Sequence, residues 1–324
     1  MRVGITGSAG FIGMHLTEKL LQDGNDLVTV DMLNPSYGTN ISKLRADHLR
    51  EMFDHKIIQI DLSEKSNRLN AIFEGCEVIV HLAAWPGVRQ SSIYPEKYFK
   101  NNVIAHSNML SVVESIQPEK FFYASSSSVY GNLGVSGPVP EIPTGALQSK
   151  SFYAATKIMN EIESNQFPFS TSIEPIALRF FTVFGPWGRP DMAYWSFAEK
   201  ISKDEAISLY GAAGGTRNFT YIKDTIEIVS KLIGSSIPEG TLALNIASSN
   251  RLDTVEMVSS LSRALNIQSV EIVNTVRPKE DVEATWADTN AITSLIGTLN
   301  ATDFDIGINN FVEWFQKYRN RISS

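Results

Sequence analysis

The sequence predicts an α/β fold, a doubly wound parallel sheet joined to a smaller α/β lobe, and three observations predict it. A glycine set, Gly7, Gly10 and Gly13, lies between a short apolar run at 2–6 and an amphipathic helix that ends at Gly24. Strand-like and helix-like segments then alternate across residues 1–180. The apolar runs of that stretch end in polar or small residues, at Asp31, Asp61, His81 and the serines 125–128, the edge at which open parallel sheets hold their ligands.

Composition narrows the class. With 43% hydrophobic and 19% charged residues in 324, the chain has ordinary globular content and ample material for a buried core. A net charge of -7 argues against nucleic acid or an anionic membrane as the main partner, while leaving room for a local basic pocket. The single cysteine, Cys76, makes neither an internal disulfide nor a cysteine-rich metal site, and is read as a small buried residue in a reducing compartment. No leader pattern precedes the first strand and no apolar run reaches a membrane span, so a cytoplasmic location without a membrane partner is expected.

The elements follow in order. Gly7, Gly10 and Gly13, with Phe11 and Ile12 opening the helix, let backbone N–H groups approach a pyrophosphate at the positive helix end; the other reading is a glycine turn without a ligand. The strand 27–30 ends in Asp31, 18 residues after Gly13, where a carboxylate accepts both adenosine ribose hydroxyls and repels a 2′-phosphate, so NAD is favoured over NADP. The strand 57–60 ends at Asp61 and Leu62, placed to meet adenine, and 78–80 runs into His81, Leu82, Ala83 and Ala84, the last two against the diphosphate or ribose. Nothing near His81 completes a triad or a metal set, so it is read as structural. Periodic Phe99, Val103, Met109, Val112, Val113 and Ile116 predict one long helix over 96–116, followed by a strand at 119–124.

The chemistry is expected where that strand ends. The serine run 125–128 follows a buried strand and precedes a turn, so it is read as ligand-bearing and not as a linker. In 151–161, Ser151 is an N-cap candidate and Tyr153 and Lys157 share one helix face. A phenol titrates near about 10 in water, and an ammonium one turn away stabilises its phenolate, making Tyr153 a candidate proton acceptor. The competing reading is an amphipathic core tyrosine beside a solvated lysine.

GSAGFIG, HLAA, the serines before VYG, YAATK and RFFTVFGP occur in an order that resembles the extended short-chain dehydrogenase/reductases, specifically the NAD-dependent nucleotide-sugar epimerases and dehydratases. The resemblance covers nearly the whole chain and implies a Rossmann domain. It also implies Ser126 as the catalytic hydroxyl, Tyr153 as base, Lys157 as the group that holds the nicotinamide ribose and lowers the Tyr153 pKa, and Asn101 and Phe181 as cofactor-lining residues. Dehydratases carry an Asp-Glu pair after that serine, and UDP-glucuronate decarboxylases a Glu two residues on. Here stand Ser127 and Ser128, which favours simple C4 epimerisation over elimination.

The segment GPWGRPDMA is similar to that of the UDP-glucuronate 4-epimerases, which implies Thr182 and Arg189, with Ser128, as holders of a sugar carboxylate. A guanidinium fork suits that task, although without the resemblance Arg189 reads equally as a surface arginine between two prolines. The resemblance further implies Arg217 as a diphosphate ligand and Arg277 as a second nucleotide-side arginine, in an RPKED that departs from the usual RPGD. Asn218 replaces an acid, a departure read as one of packing, and Phe184 replaces a tyrosine, read as the loss of a sugar contact.

The second lobe is expected over 186–324 beside a cofactor domain over 1–185, with segments near 220–250 returning to the first. Within it, 191–203 reads as a helix, 207–210 as a strand, 211–215 as a turn and 307–319 as a core-packed amphipathic helix. The expected function is C4 epimerisation of UDP-glucuronate with tightly bound NAD, in a homodimer formed through 96–116 and 153–167, with no metal. The alternatives are a neutral or N-acetylated UDP-hexose as substrate, a decarboxylase, and an NAD-binding protein without catalysis.

Overall fold

The computed structural model describes residues 1–34, 39–170, 173–210 and 215–322. The first half is built of β1 (Arg2–Thr6), α1 (Phe11–Gln22), β2 (Asp26–Asp31), α2 (Ile41–Phe53), β3 (Ile58–Gln59), α3 (Arg68–Phe73), β4 (Val78–His81), α4 (Val88–Ile93), α5 (Pro95–Tyr98), a π-helical stretch Phe99–Ile104, α6 (Ala105–Ile116), β5 (Lys120–Ser126), α7 (Phe152–Gln166) and β6 (Ile176–Phe180). There follow β7 (Thr182–Phe184), α8 (Ala193–Ser202), β8 (Ile207–Tyr210), β9 (Thr216–Tyr221), α9 (Ile222–Gly234), β10 (Ala243–Ile246), β11 (Arg251–Asp253), α10 (Thr254–Ala264), β12 (Ile272–Thr275), α11 (Asn290–Ile296) and α12 (Phe304–Ile322).

Seven strands pair in parallel in the order β10-β6-β5-β4-β1-β2-β3. Residues in β4 and β6 are buried throughout, as strands covered on both faces must be. One core joins α1, α9 and α12 with the inner strands, through Met14, Leu16, Val229 and Phe315 among others; a second, on the opposite face, packs Phe73, Met109 and Val113 against Ile79 and Phe121. The strand order reverses between β1 and β4, which opens a crevice beyond their carboxyl ends. Over that crevice lie a three-stranded sheet, β11-β9-β7, and the pair β12-β8.

Several expectations shift. The long helix over 96–116 exists as α5 and α6 with the π-helical stretch between them, which a 3.6-residue period does not reveal. The strand at 57–60 shortens to two residues, and α8 starts at Ala193, after Pro190 and a loop. Of the turn at 211–215, residues 211–214 lie outside the described residues. Phe184 does not reach a sugar site: it is fully buried and packs with Tyr194, Phe219, Tyr221 and Phe304 at ring distances of 4.8–6.3 Å. The α12 positions Ile308, Phe311, Val312, Trp314 and Phe315 are buried in the same core.

Candidate active site

The crevice has two connected parts that share Gly7, Gly10, Phe11 and Arg189 in their walls. The first runs along the glycine turn, Asp31, Asp61, Leu62, Ala83, Ala84 and Asn101. The second, about 1960 Å³ of open cleft, also takes in Ile12, Gly13, Ser126, Ser128, Tyr153, Lys157, Phe181, Thr182 and Arg217.

The glycine turn is shaped by backbone contact. Gly7 has φ +71°, and a Cβ there would stand 2.6 Å from the Ala83 nitrogen; at Gly13 it would stand 2.1 Å from the Gly7 oxygen. Only glycine allows this close approach of β1, α1 and the strand-end residue Ala83. The turn is fixed from its flank by Asp31, whose Oδ2 accepts from the Ala9 amide at 3.0 Å and whose Oδ1 accepts from Leu33 at 2.8 Å. Burial raises the Asp31 pKa, and these amide bonds oppose the rise. Asp61 accepts from the Ser63 amide at 2.9 Å and faces Lys100 at 3.3 Å. A cradle closed to a Cβ, with acids beyond it, fits a dinucleotide.

His81 is buried and bonded to the Thr6 hydroxyl at 2.7 Å, with its pKa lowered to about 3 by burial and then by Lys157. Thr6 also accepts from the Ala83 amide, so this imidazole supports the strand ends.

Ser126 ends β5 and accepts from the Ser128 amide at 3.2 Å and the Ser128 hydroxyl at 3.0 Å. The Ser151 hydroxyl caps α7 by accepting from the Ala154 amide at 3.1 Å, which starts the helix at Phe152, ahead of Tyr153 and Lys157. Burial raises the Tyr153 pKa, the Arg189 guanidinium and a hydrogen bond with Ser126 lower it, and Asp191 raises it. Lys157 does not turn to the phenol; its ammonium donates to the Ala124 carbonyl at 2.9 Å. Burial brings the Lys157 pKa down to about 8, against the pull of Glu161 one turn further on. The Tyr98 ring stands edge-on to Tyr153 at 6.2 Å.

Beneath the cleft, Arg179 and Glu161 form a two-point pair at 3.0 and 2.7 Å, each side chain 1% exposed. Tyr130, Ser125 and Thr144 complete its bonding.

At the substrate end, Arg189 pairs with Asp191 through Nε to Oδ1 at 3.0 Å and Nη2 to Oδ2 at 2.7 Å. Arg217 reaches Asp281 at 2.9 Å and the Val282 carbonyl at 2.7 Å. Arg277 does not stand in the cleft wall beside it: it bonds the same Val282 carbonyl and the Tyr210 carbonyl, across Gly215 from Arg217. Burial lowers the Arg217 pKa, and the neighbouring Arg277 and Arg89 charges add to that.

Four residues were missed in the sequence. Asn102, not its neighbour Asn101, faces inward, holding both backbone polar groups of Trp85 and the Thr156 hydroxyl, while Asn101 bonds the Lys97 carbonyl at the cleft's outer wall. Arg89 lines the cleft with its guanidinium over Tyr210, 4.9 Å from the ring centre. Arg45 carries no motif, and only contacts between distant segments single it out; Asp191 lies within GPWGRPDMA, and only its two-point pairing with Arg189 gives it a role. The Asn218 substitution is one of packing: its amide donates to the Ser248 and Asn250 carbonyls and its oxygen accepts from Ala287. Among the described residues no His, Cys, Asp and Glu gather as metal ligands.

Residues 3–247 match the NAD dependent epimerase/dehydratase family. A probable UDP-glucuronate 4-epimerase of Rhizobium meliloti is 32% identical over 98% of each chain. UDP-glucuronate 4-epimerase 2 of Arabidopsis thaliana is 33% identical over 97% of this chain and 75% of its own. The crystal structure of UDP-glucuronic acid 4-epimerase from Bacillus cereus, in complex with UDP-glucuronic acid and NAD, superposes with a TM-score of 0.89 at 26% identity, covering 98% of this chain and 99% of that one.

Proposed function

The chain belongs to the NAD-dependent epimerase/dehydratase family, and from that premise we propose that it interconverts UDP-glucuronate and UDP-galacturonate by epimerisation at C4. The observation that carries this reading is Arg189, a guanidinium already gripping a carboxylate, that of Asp191, in the same cleft as Ser126, Tyr153 and Lys157. We read the chain as a cofactor lobe, 1–185, and a substrate lobe, 186–324, interleaved where β10 joins the large sheet.

When bound, NAD would supply the reversible hydride chemistry that oxidation at C4 and reduction from the other face of the ring require. The glycine turn, Asp31, Asp61, Leu62, Ala83, Ala84, Asn101 and Phe181 hold it, and because each cycle restores it, it stays with the protein. Tyr153 accepts the O4 proton, with Ser126 hydrogen-bonded to both reacting oxygens. Lys157 supplies fixed positive charge beneath the site. Oxidation at C4 makes a β-keto acid, which loses CO2 once its carboxylate leaves the ketone plane. Arg189, Ser128 and Thr182 hold that carboxylate charged and restrain its rotation. With serine at 127 and 128, the two positions that follow Ser126 offer no acid to expel water or protonate a carbanion. Arg217, supported by Arg277 and flanked by Arg89, takes the diphosphate.

Phe99, Ile104, Met159 and Ile162 are apolar yet 39–50% exposed on the π-helical stretch and α7. They support a homodimer built on these helices, to be checked by light scattering. No helix among the described residues is long and apolar enough to cross a membrane, and we read the enzyme as cytoplasmic.

The deciding experiment mixes purified protein with UDP-glucuronate, without added NAD, and follows the sugar protons by NMR. UDP-galacturonate without a pentose product is expected. Turnover of UDP-glucose or UDP-N-acetylglucosamine with UDP-glucuronate untouched, even after NAD is added, would overturn the uronate reading.

A further inference from the structure

Three hydrogen-bond acceptors of the main chain converge on one buried guanidinium. Arg45, in α2, is 3% exposed. Its Nη1 donates to the Ala9 carbonyl at 3.1 Å, its Nε and Nη2 to the Trp187 carbonyl at 3.1 and 2.6 Å, and Nη2 also to the Gly188 carbonyl at 2.7 Å. Burying such a charge is costly, and an apolar side chain fills space at lower cost, so packing alone does not account for it. What the fork achieves is a tie between two loops.

One loop is the dinucleotide cradle. Ala9 lies between Gly7 and Gly10, its carbonyl held by Arg45 and its amide by the Asp31 carboxylate. The other loop leads straight into Arg189 and has little slack. Trp187 adopts φ +60°, unusual for a residue with a side chain. Its indole is wedged among His48, one turn beyond Arg45 in α2, and Trp314 and Tyr318 in α12, at ring distances of 5.0–5.3 Å. At Gly188 a Cβ would stand 1.7 Å from the Tyr194 hydroxyl.

We propose that Arg45 is a positioning residue that couples the dinucleotide cradle to Arg189. Cofactor held at Asp31 fixes Ala9, Ala9 fixes the Arg45 fork, and the fork fixes the carbonyls of the two residues before Arg189. The loaded cleft thereby presents that guanidinium in one orientation to the substrate carboxylate, and by linkage the carboxylate returns the same coupling to the cofactor. The identity of the ligand rests on the epimerase reading above; the mechanical tie does not.

Two measurements test it. In a Tyr153→Phe background, which stops turnover, calorimetry compares UDP-glucuronate and UDP-glucose binding with and without Arg45→Lys. Lysine keeps the charge but has no planar fork to span three carbonyls. The expected result is a loss of about tenfold for UDP-glucuronate, with UDP-glucose changed less than about twofold. Equal losses for both sugars, or none, would overturn the proposal. If the parent itself does not prefer UDP-glucuronate, the epimerase reading has failed, and the second measurement decides the coupling, as it does if the variant does not fold. Hydrogen exchange on wild-type protein stripped of cofactor is followed with and without NAD. Slower exchange at the Trp187, Gly188 and Arg189 amides supports the tie; protection confined to the glycine turn overturns it.

Discussion

The Arg189 guanidinium and the Asp191 carboxylate, two residues apart in one loop, meet edge to edge through two hydrogen bonds of 3.0 and 2.7 Å. On the function proposed above, a substrate carboxylate at Arg189 enters a site where a carboxylate already stands. Both side chains are about a quarter exposed, at 24% and 26%, so solvent weakens the pair.

Removing that competitor favours the substrate. Asp191→Asn is expected to tighten UDP-glucuronate binding by about two- to fivefold, corresponding to about 0.5–1 kcal/mol for a partly exposed ion pair, with UDP-glucose unaffected. Calorimetry on the Tyr153→Phe background reads this directly. Weaker uronate binding would show instead that Asp191 orients the arginine for its ligand.

Removing the arginine has two consequences. Arg189→Ala is expected to weaken UDP-glucuronate by about tenfold to a hundredfold, the range for charge-assisted hydrogen bonds of about 1.5–3 kcal/mol. It also frees the carboxylate of the keto intermediate to rotate, so a UDP-pentose should appear by NMR beside the epimer. Unchanged affinity with no pentose would remove Arg189 from the mechanism.

The pH dependence follows from Lys157, whose pKa burial lowers from its ordinary 10.5 to about 8. Activity that needs its charge is expected to fall as pH rises through about 8. Stability moves the other way: between about 8 and 10.5 the unfolded chain holds a proton that the folded one has released, so this residue's contribution rises with pH. Lys157→Met should remove both trends, seen in kcat/KM profiles and in urea midpoints taken across pH 7–10. Parallel trends in the two quantities would contradict this assignment.

The pair beneath the site is a stability element. Arg179→Met leaves Glu161 buried and without its cation, a loss of about 3–5 kcal/mol in urea unfolding. Replacing both residues, as Arg179→Met with Glu161→Leu, should recover a large part of it. A single variant as stable as the parent would show that solvent reaches the carboxylate.

Asn218 offers a test of a departure from the family pattern. Its amide donates to two carbonyls, which the usual acid cannot do here. Asn218→Asp is expected to cost about 2–3 kcal/mol at neutral pH while leaving the KM for UDP-glucuronate unchanged. A raised KM with unchanged stability would move this position from packing to binding.

What the sequence made legible was local chemistry. The glycine turn, the acids at strand ends, the Ser151 cap and the Tyr153–Lys157 face each follow from short-range geometry, and the structure places them around one crevice. Asn102 escaped because a period of 3.6 was assumed across a stretch wound more loosely. Arg45 escaped because α2 alone does not distinguish a buried arginine from a solvated one; its partners come from residues 9, 187 and 188. The core position of Phe184 depends on α8 and α12, the latter more than 100 residues away in sequence.

The wide turn at Phe99–Ile104 works as a phase shifter. Each residue of an ordinary helix advances about 100° around its axis, so one surplus residue re-aims everything before it relative to α6. With it, Asn102 points at Trp85 and Tyr98 reaches the carbonyls of Pro86 and Gly87, while Phe99 and Ile104 stay at the surface. Deleting one residue there is expected to close the ladder, put Asn101 where Asn102 belongs and swing Tyr98 away from Tyr153, damage not expected of an alanine at exposed Lys100. In this helix it is the count of residues, more than their identity, that keeps an inner and an outer face in register.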